Sequence, residues 1–348
     1  MGNCVISTSS KDVIGGYRKT YSEDSLNSFK KQRKIGKGAF SIVWQVRRSS
    51  DGAVFAMKEM LKARVCALKC IPTVLNERRL LSRLRHEFFV NMCGAFQTRD
   101  HLYLVLDHMT GGDLRYYIGN HALIGENGVR FLVACILSAL EYLHYHGYLH
   151  GDLKPENLVF DEQGYLRLTD FGTARRIMPD NCHETAGTPH YLAPEIMHKQ
   201  THTLCADFFS LGVITYELAM GRRPFKGKTR NEVRESMGIG PVQLSAQSNW
   251  SAEGTDFVNQ LLEFNPSVRL GSKGVSQVKE HPWLADFEWD QLLKKQLPSQ
   301  FVPKKTENFY KNYVKSEFKD RGQLPVPPQE CFLDYSYNPI KPMKPNSD

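Results

Sequence analysis

An α+β chain, with a smaller strand-rich part followed by a larger helical part, is what the sequence predicts, and a change of pattern along it is the first reason. From Phe29 to Leu106 the apolar residues mostly alternate, with one helical interruption. Beyond Gly111-Gly112 they recur at helical spacing over long runs. Length is the second reason, since 348 residues fill about two compact units of roughly 100–200 residues. The expected organisation is a flexible arm over 1–27, a folded body over 28–285 and a C-terminal tail over 286–348. Within the body, the strand-rich part takes about 28–108 and the helical part about 109–285.

The elements follow in order. Residues 1–27 are rich in Ser, Gly, Asn and Thr and carry no sustained apolar period, which predicts the arm. Val54, Ala56 and Lys58 alternate onto one strand face, and His101–Leu106 makes another short strand. Between them Ile71, Val74, Leu75, Leu81 and Leu84 repeat at helical spacing, with Glu77 on their apolar face. A carboxylate there needs a partner. Asn127–His146 predicts a long buried helix ended by Gly147. Leu158–Phe160 and Tyr165–Leu168 predict strands joined by the turn Asp161–Gly164. Asp207–Met220 predicts another apolar helix, closed by Gly221 with Pro224 beyond. After Trp289 the chain becomes polar and proline-containing, as expected of a tail wrapped over a folded body.

Composition narrows the class. Hydrophobic residues at 41% and charged residues at 24% suit a soluble globular chain. The longest apolar stretch, Phe131 to Leu143, is broken by Ser138 and Glu141 and falls short of the ~20 residues of a membrane span. No apolar signal region opens the chain. Eight scattered cysteines form no CxxC pair, so neither a zinc site nor a disulfide framework is expected, and a reducing, cytoplasmic setting is. The net charge of +8 is dispersed, with small basic groups at Lys30–Lys34 and Lys304–Lys305. No basic run alternates with aromatics, so no nucleic-acid partner is expected.

Three stretches carry chemistry. Gly36-Lys37-Gly38-Ala39-Phe40-Ser41-Ile42-Val43 places glycines between two strands, where backbone amides can approach phosphate oxygens. Val54-Phe55-Ala56-Met57-Lys58 aims an ammonium onto a half-buried strand face, with Glu77 as its expected partner. His150-Gly151-Asp152-Leu153-Lys154-Pro155-Glu156-Asn157, followed by Asp170-Phe171-Gly172, gathers two carboxylates, an amide and a lysine. That set fits phosphoryl transfer: one carboxylate accepts a hydroxyl proton, the other holds Mg²⁺ with the amide, and the lysine neutralises phosphate. Gly187-Thr188-Pro189-His190-Tyr191-Leu192-Ala193-Pro194-Glu195 closes the segment.

In this order the motifs resemble those of eukaryotic protein kinases over about positions 28–285. The resemblance implies a two-lobed fold, with a small β-rich N-lobe, a larger helical C-lobe and a C-terminal tail. It also implies transfer of the ATP γ-phosphoryl group to protein Ser or Thr hydroxyls, with Mg²⁺ as cofactor. By the same resemblance Gly36, Lys37, Gly38, Ser41, Val43 and Ala56 would surround the nucleotide, and Lys58 would meet its α/β-phosphates and pair with Glu77. Asp152 would be the catalytic base, Lys154 the γ-phosphate contact, Asn157 and Asp170 the metal ligands, and Thr188 the residue that orients Asp152 and Lys154. Leu106 resembles the gatekeeper, with Asp107–Met109 as the hinge at the adenine edge. Leu81, Met92, His150 and Phe171 match a hydrophobic column. Glu195 with Arg269 matches a buried ion pair, and Asp207 an anchor of the catalytic-loop backbone.

Within kinases the chain resembles the AGC group, its tail being most similar to ribosomal S6 kinases. His281-Pro282-Trp283-Leu284, Phe301-Val302-Pro303-Lys304-Lys305, Asn308-Phe309 and Phe332-Leu333-Asp334-Tyr335-Ser336-Tyr337 carry that resemblance. It implies that the last aromatics dock on the small lobe. Two departures coincide: Gly151 replaces the usual arginine, and Glu184 stands where the group has a phosphorylated threonine. Arg175 is the expected partner of Glu184, which predicts activity without phosphorylation of this segment. Asp113, Glu156 and Glu217 match positions that receive arginines upstream of the target residue, so basic substrates are expected. Met1-Gly2-Asn3-Cys4 suggests acylation at Gly2 and Cys4, and with it membrane association. The competing expectation is a pseudokinase scaffold, towards which Gly151 and Ser41 point.

Overall fold

In the computed structural model the described residues are 13–14, 17–18, 23–119, 125–245, 250–303 and 328–338. The chain divides into two compact units, one of Met1–Leu75, Met92–Leu106 and Asn312–Asp348, the other of Asn76–Asn91 and Asp107–Lys311.

Two short strands, β1 (Val13–Ile14) and β2 (Tyr17–Arg18), pair ahead of helix α1 (Glu23–Asn27). The last residues of the expected arm are therefore helical, and Leu26 packs on the core of the first unit. That core covers one face of a five-stranded sheet: β3 (Phe29–Lys37), β4 (Ser41–Arg48), β5 (Val54–Leu61), β6 (Met92–Gln97) and β7 (His101–Asp107), in the order β3-β4-β5-β7-β6. Val46, Met57, Phe96, Tyr103 and Val105 form it, with Phe29, Trp44 and Phe55 packed against them. Phe29 meets Phe55 edge-on at 6.1 Å and stacks on Phe96 at 6.3 Å. The basic group at Lys30–Lys34 lies on β3, where Lys31 pairs with Glu59 at 2.7 Å and lies over Trp44. α2 (Lys62–Ala67) follows β5, and α3 (Ile71–Leu81) ends the helical interruption.

The tail completes this unit. Ala95 and Tyr337 exchange backbone bonds of 2.9 and 2.7 Å, so the tail pairs with β6. Phe332 and Tyr335 are buried, as the docking reading expects. Lys62 fixes the approach: its ammonium donates to Gln97 Oε1, the Thr98 carbonyl and Gln329 Oε1 at 2.8–2.9 Å and lies 5.3 Å from the Phe332 ring centre. Burial lowers its pKa to about 8.

The second unit is built on α5 (Glu126–Tyr145), which follows the short α4 (Leu114–Gly119). By length and composition α5 could cross a membrane, but most of it is buried in this unit, as befits a core helix. It packs on α7 (Ala206–Met220) and on the hairpin β9 (Leu158–Phe160) and β10 (Leu166–Leu168), which follows β8 (Tyr148–Leu149). β11 (Arg175–Arg176) pairs antiparallel with β8, Arg175 opposite Leu149. α6 (Pro194–Met197), α8 (Arg230–Gly238) and α9 (Ala252–Leu261) complete the part that positions the site. Residues Asn76–Asn91 join this unit through Val90 and Leu168, whose backbones bond at 2.9 Å, and through Phe89, 4.7 Å from Phe171.

Candidate active site

In the first unit, register brings several of the expected nucleotide residues onto one face, whereas Lys37, paired with Ile42, falls on the other. Gly36 lies opposite Val43, and Val43 opposite Lys58. Directly paired residues share a face, as do residues two apart on a strand. Gly36, Ser41, Val43, Ala56 and Lys58 therefore share the sheet face opposite the aromatic core, and Leu106 alternates with Val105 onto that same face. The glycine turn is tight: Gly38 N–H donates to the Ser41 carbonyl at 2.8 Å. Arg64 on α2 holds the loop from outside, bonding the Ala39 carbonyl at 2.8 Å.

In the second unit, the catalytic-loop residues form a closed set of bonds. Asp152 Oδ1 accepts from the Thr188 amide at 2.8 Å and from its hydroxyl at 2.7 Å. Asp152 Oδ2 lies 2.6 Å from Lys154 Nζ, which also donates to Thr188 Oγ1 at 3.0 Å. Asn157 Nδ2 donates to the Asp152 carbonyl at 2.9 Å, which turns its amide oxygen the other way. The Thr169 amide bonds the Asn157 carbonyl at 3.0 Å, so Asp170 begins beside Asn157. Close approach explains Gly187: its φ of +111° suits glycine, and a Cβ there would collide with the Gly151 carbonyl.

The loop is anchored from below. Asp207 accepts from the His150 and Gly151 amides at 2.8 and 3.0 Å and lies 2.8 Å from His144 Nε2. Burial opposes its ionisation, yet His144 and these amides outweigh that and hold its pKa below the usual carboxylate value. Beneath α6, Arg269 grips Glu195 with two bonds of 2.7 and 2.9 Å, the side chains 0% and 2% exposed. His150 and Phe171 of the expected hydrophobic column have ring centres 5.6 Å apart.

Residues 29–284 match the protein kinase domain family. The chain belongs to that family. Relatives include the RAC family serine/threonine-protein kinase homolog of Dictyostelium discoideum, 33% identical over 86% of this chain and 67% of the relative. Protein kinase 2 of Dictyostelium discoideum is 34% identical over 83% of this chain and 60% of its own length. Human ribosomal protein S6 kinase alpha-6 is 35% identical over 81% of this chain and 38% of its own length. The chain thus spans about three fifths or less of the first curated relatives it matches. These relatives agree with the AGC resemblance carried by the tail.

Against this family pattern, the activation segment of the kinase domain is held by its own charges. Arg175 Nη2 donates to the Glu184 carbonyl at 3.3 Å and lies 2.8 Å from His202 Nε2, and Nε lies 3.6 Å from the Glu184 carboxylate. Glu184 is 59% exposed, so this ion pair is a weak, hydrated one. Gly151, at φ +73°, leaves room for Arg175: a Cβ there would lie 3.1 Å from Arg175 Nη1.

Glu77 is 3% exposed and belongs to the second unit, whereas Lys58 belongs to the first. Asp107 uses its carboxylate within its own unit, accepting from Asn91 at 3.1 Å with Arg167 3.4 Å away. His198 bonds the Pro194 carbonyl, and among the described residues no group of three His, Cys, Asp or Glu side chains forms a metal cluster. Gly2, Cys4, Lys304, Lys305, Asn308 and Phe309 lie outside the described residues.

Sequence reasoning missed two residues. Asn76, next to Glu77, places its amide nitrogen 3.4, 3.1 and 2.6 Å from the carbonyls of Phe171, Gly172 and Ala174. It ties the helix of Glu77 to the turn after Asp170, and only its position beside Glu77 could have pointed to it. Arg115 is the other, bonded to Glu156, Glu217 and Tyr191. An arginine two residues after Asp113, on the same first helical turn, was its only signal.

Proposed function

We propose that this protein is a serine/threonine kinase that transfers the γ-phosphoryl group of ATP to hydroxyls of protein substrates. The arrangement of Asp152, Lys154 and Thr188 carries this reading. Thr188 pins one Asp152 oxygen by two bonds, and the other faces the Lys154 ammonium. A substrate hydroxyl at Asp152 would give its proton to the carboxylate while its oxygen bonds the γ-phosphorus and the bond to ADP breaks. Lys154 would offset charge on the moving phosphoryl oxygens. In the first unit, Gly36, Val43, Ala56 and Lys58 on one sheet face, with Lys37 and Gly38 at the glycine turn, would hold the nucleotide, and Leu106, Asp107 and Met109 are the residues the kinase resemblance assigns to the adenine edge.

Asn157 and Asp170 suit Mg²⁺, which takes oxygen ligands and keeps several positions for water and phosphate. The Asn157 amide oxygen is left for this role because its nitrogen is held by the Asp152 carbonyl. When bound, the ion would neutralise charge on the phosphates. Incorporation of label from ATP into a protein or peptide hydroxyl, absent with an Asp152→Asn variant, is the direct test.

Glu184 replaces a phosphate with a permanent carboxylate beside Arg175, so turnover should not wait for modification of this segment. A Thr185→Ala variant should keep its activity within about threefold of the parent, the scale of a neutral surface change. A hundredfold loss in steady-state rate would overturn this.

The arm is the remaining part of the proposal. Myristoylation at Gly2 with palmitoylation at Cys4 would bring a cytoplasmic protein to membranes, since one acyl chain alone binds weakly, with K about 10⁴ M⁻¹. Lys11, Arg18 and Lys19 would add attraction to anionic lipid. Fractionation of cells carrying Gly2→Ala should move the protein from the membrane pellet to the supernatant, and an unchanged distribution rejects anchoring.

A further inference from the structure

Two of the three carboxylates expected to receive a substrate arginine, Glu156 and Glu217, already hold one that belongs to this chain. Arg115, on α4, donates from Nε to Glu156 Oε1 at 2.9 Å. Its Nη1 and Nη2 straddle Glu217 at 2.8 and 3.1 Å, the two-bond fork a guanidinium makes with a carboxylate. Nη2 also bonds the Tyr191 hydroxyl, which donates to Glu217 Oε2 at 2.6 Å. Arg223 brings a second guanidinium 3.4 Å from Glu217 Oε1. Both oxygens of Glu217 are committed, and its side chain is 5% exposed. Arg115 and Arg223 offset the charges of Glu156 and Glu217, so these two carboxylates carry no excess charge to draw a third cation.

The cluster is close to the acceptor position. Glu156 is four residues beyond Asp152 on one loop, and Tyr191 three beyond Thr188 on the other. At most about 14 Å of extended chain separates Glu156 from Asp152. Any substrate segment presenting a hydroxyl to Asp152 therefore passes this cluster within a few residues. One acceptor stays open: Glu156 Oε2 is buried with no hydrogen-bond partner among the described residues. A single oxygen cannot reproduce the two-bond fork. Burial raises the Asp113 pKa to about 6, and the charge of Glu156 adds to this. Asp113 remains ionised at neutral pH and feels the charges of both Glu156 and Arg115, while its Oδ1 accepts from the Tyr116 amide at 2.9 Å.

We infer that Arg115 is a specificity-determining residue, an internal guanidinium seated where a substrate arginine would otherwise bind, so that this kinase gains no preference from an arginine at that position of its substrate. The inference rests on the kinase reading above and sharpens it: the upstream-basic preference expected from Glu156 and Glu217 is already satisfied internally. The unusual feature is the arginine, since the carboxylates alone would favour basic peptides.

The test compares peptides that carry Arg or Ala at each position upstream of the acceptor, using the full chain and Arg115→Ala, with Asp152→Asn as the blank. The parent should show kcat/KM ratios within about threefold at the position the fork reads. The variant should gain at least about tenfold from arginine there, as expected of a newly exposed close charge pair. A parent that already gains tenfold at every position the variant favours, or a variant that favours none, overturns the inference. Because Arg115→Ala removes one of the two guanidiniums at the buried Glu217, a second readout guards against a poorly folded variant: low millimolar guanidinium should raise the melting temperature of Arg115→Ala and leave the parent unmoved. No rise in the variant also overturns it. Absence of turnover by the parent would reject the kinase reading instead, and the melting experiment would still decide whether a guanidinium seat exists.

Discussion

Asp152→Asn is expected to lower kcat by about 10²–10⁴-fold, the usual contribution of a positioned general base. The substitution is close to isosteric, so Thr188 can still bond the side chain and the loop can keep its path. What is lost is the proton acceptor, together with the ion pair to Lys154, now 2.6 Å from Asp152 Oδ2. KM for ATP should change by less than about threefold, because Asp152 handles the hydroxyl rather than the nucleotide. Steady-state rates on one peptide, with binding of nucleotide followed separately, check both statements. A rate within tenfold of the parent would remove Asp152 from the chemistry. Parent and variant rates equally indistinguishable from background would favour the scaffold alternative, in which the site is kept without turnover.

The largest effect on stability is expected at Arg269. Arg269→Met should cost about 3–5 kcal/mol, since Glu195 would be left buried and unpaired. The arginine also bonds the Glu263 and Phe264 carbonyls at 2.7 and 3.1 Å and lies 5.0 Å from the Phe209 ring centre. Its removal therefore frees several acceptors at once. The melting temperature should fall by roughly 6–20 °C for a folded unit of this size. Glu195→Met combined with Arg269→Met strands no charge, and should lose less than the single Arg269 change. Calorimetric or denaturant unfolding of the three proteins decides it. A single variant within 1 kcal/mol of the parent would show the pair to be dispensable.

Much of the catalytic loop was legible because its chemistry is local. Asp152, Lys154 and Asn157 fall within six residues, and the bonds among them are set by one short turn. The long helices were legible for a related reason: an apolar period identifies them, and Gly147 and Gly221 mark their ends. Boundaries moved by a residue or so, α5 running Glu126–Tyr145 and α7 Ala206–Met220. The tail aromatics could be read as docking, but Lys62 as their polar anchor could not. Nothing in its neighbours announces a buried lysine bonded to Gln97 and Gln329.

Arg115 shows the opposite limit. Counting acidic residues near the acceptor loop predicts an arginine-seeking surface, because a sequence displays charges without their partners. Glu156 and Glu217 are 61 residues apart, and Arg115 lies 41 and 102 residues from them. Folding brings the three within hydrogen-bond distance and cancels the charge that the sequence seemed to offer. Residue order alone determined the family, the candidates for the phosphoryl-transfer groups and the alternation that puts Val54, Ala56 and Lys58 on one strand face, while strand register brought Gly36 and Val43 onto the face of Ala56 and Lys58. Tertiary structure alone decided which charged groups are already satisfied, since electrostatic pairing depends on distance in space and desolvation, neither of which follows from separation along the chain.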